Sequence, residues 1–342
     1  MNNTVPPPQE SGSSPVPAPE KLVLGTRGSD LALAQARMTE AALRGAGYEG
    51  EIEIRVVKTI GDKRPDLKLS EFSQGDQPVV DKGIFTRELE DALRRGEIDF
   101  AVHSLKDVPT ELDAAFAIVA TLPRAPVEDV LLTKSPAPDG IASLPLGAHV
   151  ATSSVRRARQ LRWMRPDLDV VDIRGNVPTR LRKLVENDGW DGILLARAGL
   201  QRLGYVEAVE GFAGTAFHFD EIEVFAQFLD AREFLPAAGQ GAVGIEALVA
   251  SEAVIAVLRT IDHADTFRRA TAERAFLARL QAGCQTPVGA FTWFADDGAT
   301  LAMRVRVFDE SNGDAPPREA EARGPADRPD ALADALMDRL SR

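Results

Sequence analysis

A chain of 342 residues, 44% hydrophobic and 27% charged, has the composition of a protein that folds in water with room for two or three cores. Its formal net charge of −12 excludes a general affinity for nucleic acid or an anionic membrane, because either needs a basic face; a local basic cleft can still sit inside an acidic shell. No segment approaches the roughly eighteen consecutive apolar residues of a spanning helix, so a cytoplasmic, reducing location is expected.

Residues 1–20 are rich in Pro, Ser and Gln, without the apolar run or basic start of a targeting segment, and read as a disordered tail. From Lys21 onward a regular alternation begins. An apolar strand at 22–24 meets a Gly/Ser turn at 25–29, then a helix over 31–43 for which Ser29 or Asp30 is the natural N-cap. Alternating Ile52, Ile54 and Val56 predict a strand. A polar segment spans 58–81, a helix about 86–95, and an apolar strand at 98–102 runs into His103-Ser104-Leu105-Lys106-Asp107. The pattern resumes with a strand at 149–151, a helix over 155–164, a strand at 170–173, a helix over 177–185 and an apolar run at 193–195 followed by 198–203.

Repeated strand–helix alternation with short connections implies open, mostly parallel sheets covered by helices. After Gly244 the texture changes to helices at 251–260 and 264–281, antiparallel-type alternation over 291–308 and a closing helix at 330–340. The expected fold is α/β: two hinged, doubly wound, periplasmic-binding-protein-like domains (21–125 with 241–260, and 130–235) plus a smaller C-terminal α+β domain (264–342). Prolines in Pro123-Arg124-Ala125-Pro126 and Phe234-Leu235-Pro236 mark the crossings between domains.

In open parallel sheets ligands collect beyond the carboxyl ends of strands. Thr26-Arg27-Gly28-Ser29, Ser104 to Asp107, Thr152-Ser153-Ser154, Arg174-Gly175-Asn176 and Ala196-Arg197-Ala198-Gly199 all fall there, and a common cleft accounts for them most simply. Arg159, Arg162 and Arg165 read as a solvated helix face. Arg156, Arg157, Arg174 and Arg180 differ, because they sit at strand-to-helix junctions or in first turns, where a cation opposes the helix dipole unless an anion lies nearby. Guanidinium forks suit carboxylates or phosphates, so a multiply anionic ligand is expected. Asp107 reads either as a turn residue before Val108-Pro109 or, beside Lys106 in a cleft, as a carboxylate that stabilises a developing cation or carries a proton.

Gly239-Gln240-Gly241-Ala242-Val243-Gly244 matches the dinucleotide fingerprint letter for letter, but Pro236 and two alanines precede it instead of a clean strand. Its glycines are expected to let the chain cross tightly. His103, His149, His218 and His263 lack ligand spacing, so no metal is expected. Cys284, the single cysteine, cannot form an internal disulfide; it is either a buried inert thiol or a covalent attachment point on an exposed turn.

Seven segments in register closely resemble the hydroxymethylbilane synthase (porphobilinogen deaminase) family over about residues 21–292. They are Thr26 to Ala36, Lys82-Gly83-Ile84-Phe85, Ala101 to Pro109, Ser153-Ser154-Val155-Arg156-Arg157, Arg174-Gly175-Asn176, Gly239-Gln240-Gly241 and Gly283-Cys284-Gln285. The resemblance implies a transferase of tetrapyrrole and heme synthesis. Such an enzyme condenses four porphobilinogen molecules onto a dipyrromethane cofactor, releasing ammonia each time, then hydrolyses off the linear tetrapyrrole. It further implies a cytoplasmic monomer with no metal, nucleic-acid or membrane partner. Cys284 would carry the cofactor through a thioether and Asp107 would be the catalytic carboxylate, beside an azafulvenium-like cation. Arg27, Ser29, Lys106, Ser154, Arg156, Arg157, Arg174 and Arg180 would bind carboxylates, and Lys82 and Phe85 would belong to a lid. Many members carry Gln where this chain has Gly28, and Gly where it has Pro178; a proline is tolerated in a helix's first turn. The alternative is a non-catalytic anion- or solute-binding protein of similar architecture, which would have no use for a thiol at 284. A nucleotide-dependent dehydrogenase would rest on the glycine run alone.

Overall fold

The computed structural model describes residues 17–59, 86–207, 214–282, 286–295, 298–313 and 315–341. Cys284, Lys82, Phe85 and residues 1–16 of the expected tail lie outside them. The chain divides into two compact units, Met1–Arg124 with Ala242–Cys284, and Ala125–Gly241 with Gln285–Arg342. It therefore passes from the first unit to the second and back, and then on to the second again.

In the first unit, β1 (Lys21–Thr26), β2 (Glu51–Val56), β3 (Phe100–Ser104), β4 (Phe116–Thr121) and β11 (Val243–Leu248) form one sheet in the order β2-β1-β3-β11-β4. β1 runs parallel to β2 and β3, while β11 is antiparallel to both β3 and β4. Helix α1 (Asp30–Gly45) follows β1 directly. Ser29 caps it by accepting from the Ala32 N–H, Asp30 and Arg44 complement its dipole at opposite ends, and Ala32, Ala36 and Leu43 form its buried stripe. Two apolar layers enclose the sheet. Ala36 and Leu43 of α1 pack with Leu22, Leu24, Phe100, Ile245 and Leu258 on one side; Leu89, Ala92 and Leu93 of α2 (Arg87–Arg94) pack with Ile98, Ala101 and Phe116 on the other. Helices on both faces make this a doubly wound sheet. Helices α6 (Glu252–Arg259) and α7 (Ala264–Arg279) complete the unit, with Ala270 of α7 buried against Leu105 and Val108.

The second unit holds β5 (Asp129–Thr133), β6 (His149–Ala151), β7 (Asp169–Val171), β8 (Gly192–Ala196), β9 (Thr215–Phe219) and β10 (Ile222–Phe228), ordered β7-β6-β8-β5-β10-β9. Leu161 of α3 (Val155–Met164) packs on one face; Leu181 and Leu184 of α4 (Val177–Glu186) and Leu200 of α5 (Arg197–Arg202) pack on the other. The unit also contains a three-stranded antiparallel sheet, β12 (Val288–Phe294), β13 (Thr300–Val307) and β14 (Arg318–Pro325), backed by α8 (Pro329–Leu340). This is the smaller α+β part. Ala290 donates to the Pro236 carbonyl at 2.9 Å and Arg306 to the Glu233 carbonyl at 2.7 Å, which ties that sheet to the loop after β10.

The sheets are mixed where mostly parallel ones were expected, since β5, β10 and β9 pair antiparallel and β11 enters the first sheet against its neighbours. The glycine run leads into strand β11 and not into a helix, which removes the context a dinucleotide fingerprint requires. Its glycines serve backbone geometry instead. Gly239 and Gly241 have φ of 72° and 82°, and a Cβ on Gly241 would lie 2.4 Å from the Ala125 carbonyl oxygen. The Ala125 N–H donates to the Gly241 carbonyl at 3.1 Å, so the outgoing and returning segments bond to each other.

Candidate active site

In an open sheet the strand order reverses at one point, and the loops leaving the two strands there diverge to opposite faces and open a crevice. In the first unit that point lies between β1 and β3. Beyond it a hollow of about 70 Å³ is lined by Arg27, Ser29, Gln35, Thr86, His103, Ser104 and Asp107, among others. Arg27 and Ser29 arrive on the turn from β1 into α1, whose N-terminus points into the crevice with Ser29 as cap. Asp107 ends the single 3-10 turn Leu105–Asp107 that follows β3. That turn places the carboxylate in solvent beside the exposed Lys106, while Leu105 is buried.

Two residues that sequence reasoning passed over hold this arrangement. The buried Arg274 of α7 donates to three successive carbonyls after Asp107: Val108 at 3.2 Å, Pro109 at 2.7 Å and Thr110 at 3.1 Å. Burial pulls its guanidinium down to about 10, partly offset by the charge of Glu246. Gln35, also buried, donates to Ser104 Oγ at 2.8 Å and locks the end of β3 against α1. Both contacts join residues more than sixty positions apart, with no local pattern to reveal them.

The second unit repeats the geometry. Its strand order reverses between β6 and β8. Ser154 caps α3 by accepting from the Arg157 N–H at 3.4 Å, and Asn176 caps α4 through Thr179 N at 3.0 Å, with Pro178 in the first turn. Arg174, half-buried, donates from Nε to Asp172 at 2.9 Å, and Arg180 donates from Nε to the Gly175 carbonyl at 2.7 Å. The loop from β7 into α4 thus carries both guanidinium groups. Gly175, at φ 117°, permits a conformation in which a Cβ would lie 2.6 Å from the Thr179 side chain.

Arg156 and Arg157 do meet a carboxylate, and it is the protein's own. Asp129, fully buried at the start of β5, accepts from Arg156 Nη1 at 2.6 Å and from Arg157 Nε and Nη2 at 3.0 and 2.7 Å; Gln240 Nε2 adds a fourth donor at 2.9 Å. Burial alone would push the Asp129 carboxyl up, but the two guanidinium charges outweigh it and hold the carboxyl well below its ordinary range. Each arginine is 5% exposed, and Arg157 spends its remaining terminal nitrogen on the Leu194 carbonyl. The physical expectation of an anion near these first-turn cations holds. In this structure both guanidinium groups are engaged with that internal carboxylate. Nor are Arg159 and Arg165 merely solvated. Arg159 donates to the Asp309 and Asn312 carbonyls and Arg165 to Asp167 and the Ile141 and Leu144 carbonyls, while Arg162 remains exposed.

Each of the two α/β units thus gathers hydroxyls, a helix N-terminus and guanidinium groups at its topological switch point, and the first adds a solvent-facing carboxylate. Residues 22–256 match the family model "Porphobilinogen deaminase, dipyromethane cofactor binding domain", and residues 267–341 match "Porphobilinogen deaminase, C-terminal domain". The chain belongs to the porphobilinogen deaminase family. It is 41% identical to the porphobilinogen deaminase of Syntrophomonas wolfei over 308 residues, 89% of this chain and 92% of the relative. With that of Desulforudis audaxviator the identity is 42% over 320 residues, 94% of each. Among solved structures, the periplasmic VFT2 domain of Bordetella pertussis BvgS aligns at TM-score 0.39 and 15% identity, covering 71% of this chain and 86% of that one.

Proposed function

We infer that this chain is a hydroxymethylbilane synthase, a transferase that condenses porphobilinogen onto a covalent dipyrromethane and releases the linear tetrapyrrole. The reading is carried by Asp107, an exposed carboxylate fixed by β3 and the Arg274 clamp in a hollow that also holds Arg27 and the α1 N-terminus. Those groups suit the cofactor chemically, since a pyrrole bearing acetate and propionate offers an N–H to a carboxylate and carboxylates to guanidinium and backbone N–H groups. When bound, the dipyrromethane supplies the pyrrole carbon at which the new bond is made.

Cys284 is proposed as the attachment residue. Asp107 accepts the pyrrole N–H and, as porphobilinogen loses ammonia, stabilises the positive charge that develops on the substrate ring; a preplaced carboxylate acts with little reorganisation. Arg27, Ser29, Lys106, Ser154, Arg174 and Arg180 are proposed to orient carboxylates of the substrate and growing chain. Arg156 and Arg157 are proposed to act indirectly, by holding the start of α3 on Asp129. Lys82 and Phe85 are retained as lid residues. A cytoplasmic monomer with domains 21–125 with 241–260, 130–235 and 264–342 completes the reading; sedimentation and limited proteolysis test those parts. Among the described residues no helix is long and apolar enough to cross a membrane.

The purified protein incubated with porphobilinogen should release ammonia and yield a product that cyclises to uroporphyrin I. Saturable binding of porphobilinogen without ammonia release would instead favour the solute-binding alternative.

A further inference from the structure

Helix α7 supports the turn that carries Asp107. Phe267 in its first turn and Ala270 one turn on pack with Leu105 and Val108, the two apolar residues that bracket Lys106 and Asp107. Arg274, a further turn along, holds the carbonyls of Val108, Pro109 and Thr110. The position of Asp107 therefore depends on where the first turns of this helix lie.

Those turns begin at a titratable cap. His263 precedes α7 with an extended backbone, and its Nδ1 accepts from the Thr266 N–H at 3.3 Å, while the Thr266 hydroxyl lies 2.8 Å from the same nitrogen. A backbone N–H can only donate, so Nδ1 carries no proton in this geometry and the ring proton sits on Nε2. The capping residue is also fixed from behind. Thr121, buried at the end of β4, donates from N and Oγ1 to Asp262 Oδ1 at 2.8 and 3.3 Å, and its carbonyl accepts from the His263 N–H at 2.8 Å. A cap made by Ser, Thr or Asn keeps its acceptor at any pH, whereas an imidazole loses it on protonation. The His263 side chain is exposed, so protons reach it. The charged groups around it are Asp262, whose carboxyl is raised by burial, Arg259 of α6, and Asp265 in the first turn of α7, which pairs with Arg268 at 3.6 Å.

We propose that His263 is a positioning residue for the porphobilinogen reaction: with Nδ1 bare it holds the first turn of α7 beneath the Asp107 turn, and protonation at Nδ1 releases that turn and lowers turnover. The proposal rests on the porphobilinogen reading above. A proton on Nδ1 would meet the Thr266 N–H donor to donor. The hydroxyl can rotate to accept it, but the N–H is left without its acceptor and the added charge opposes the helix dipole. Phe267, the next residue, then loses its fixed place against Leu105 and Val108. The only transfer at His263 is a proton taken from solvent.

The test follows kcat for ammonia release by the full-length holoenzyme from pH 8 to pH 5.5, across the ordinary imidazole range near 6.5, in the wild type, His263→Asn and His263→Ala. Asparagine supplies a capping oxygen that stays an acceptor throughout this window, and alanine supplies none. His263→Asn should match the wild type at pH 8 and exceed it about two- to fivefold at pH 5.5. His263→Ala should run about two- to fivefold below the wild type at pH 8 and converge with it at pH 5.5. Thermal melts at the same pH values report the cap independently of activity. Ratios of kcat that stay flat with pH overturn the proposal, and so does an asparagine variant that behaves like the alanine one; should the alanine variant fail to fold, the asparagine ratio alone decides. If the melts show the cap titrating while the kcat ratios stay flat, the role of His263 in turnover falls and the porphobilinogen reading stands. If no form of the protein releases ammonia at any pH, that reading falls and the proposal with it.

Discussion

Replacing Asp129 by Asn keeps the shape of a fully buried side chain and removes its charge, which leaves Arg156 and Arg157 at 5% exposure without a counter-ion. Four donors converge on the carboxylate at 2.6 to 3.0 Å. Breaking a buried ion pair by neutralising one partner costs about 3–5 kcal/mol, because the stranded charge stays desolvated. At roughly 2 °C per kcal/mol for a body of this size, the second unit should melt some 6–10 °C earlier. The assay is selective, since all three tryptophans, Trp163, Trp190 and Trp293, belong to that unit, so intrinsic fluorescence reports its unfolding and not the first unit's. A loss under about 1 kcal/mol in the fluorescence-detected urea transition would refute the reasoning that Asp129 neutralises these arginines.

Acid titration carries the same logic. The folded Asp129 carboxyl is depressed, so its contribution is fully present above the ordinary aspartate value near 4 and is lost as pH falls below it towards the folded value; tryptophan-detected stability should drop in that window, and less steeply in Asp129→Asn. Asp107→Asn should lower turnover about 10²–10⁴-fold at an unchanged unfolding temperature, and substantial retained activity would displace Asp107 from its role. Arg27→Ala should raise KM by about 10- to 100-fold, the scale of a charge-assisted hydrogen bond, whereas Arg157→Ala should chiefly lower stability; steady-state kinetics beside thermal melts separate the two. Arg274→Ala, by freeing the carbonyls of Val108, Pro109 and Thr110, should reduce kcat more than it raises KM, and equal changes in both would count against a clamp on the Asp107 turn.

Legibility in the sequence followed the range of the interactions. Helix α1 was readable because its cap, charges and apolar stripe all lie within twenty residues, and of the two expected cap candidates, Ser29 and Asp30, Ser29 is the cap. Strand β4, buried throughout, is an apolar run whose period cannot separate strand from helix, and β5, equally buried, has only three apolar residues between Asp129 and Thr133. Strand β14 was hidden for the opposite reason: as an edge strand paired only with β13 it is largely exposed and charged, which suits an edge and erases the alternation. At the site, the need of Arg156 and Arg157 for an anion followed from their first-turn positions. Its supplier, Asp129, sits 27 residues from Arg156. Such pairings exist only once the strands have been ordered.

The central claim, a pyrrolic primer tethered at position 284 and extended by deamination, is tested most directly by the intact mass of the purified active protein. An added mass of two porphobilinogen-derived pyrrole units that vanishes in Cys284→Ala, together with loss of ammonia release, is the predicted result. An unmodified mass in protein that still converts porphobilinogen would contradict it.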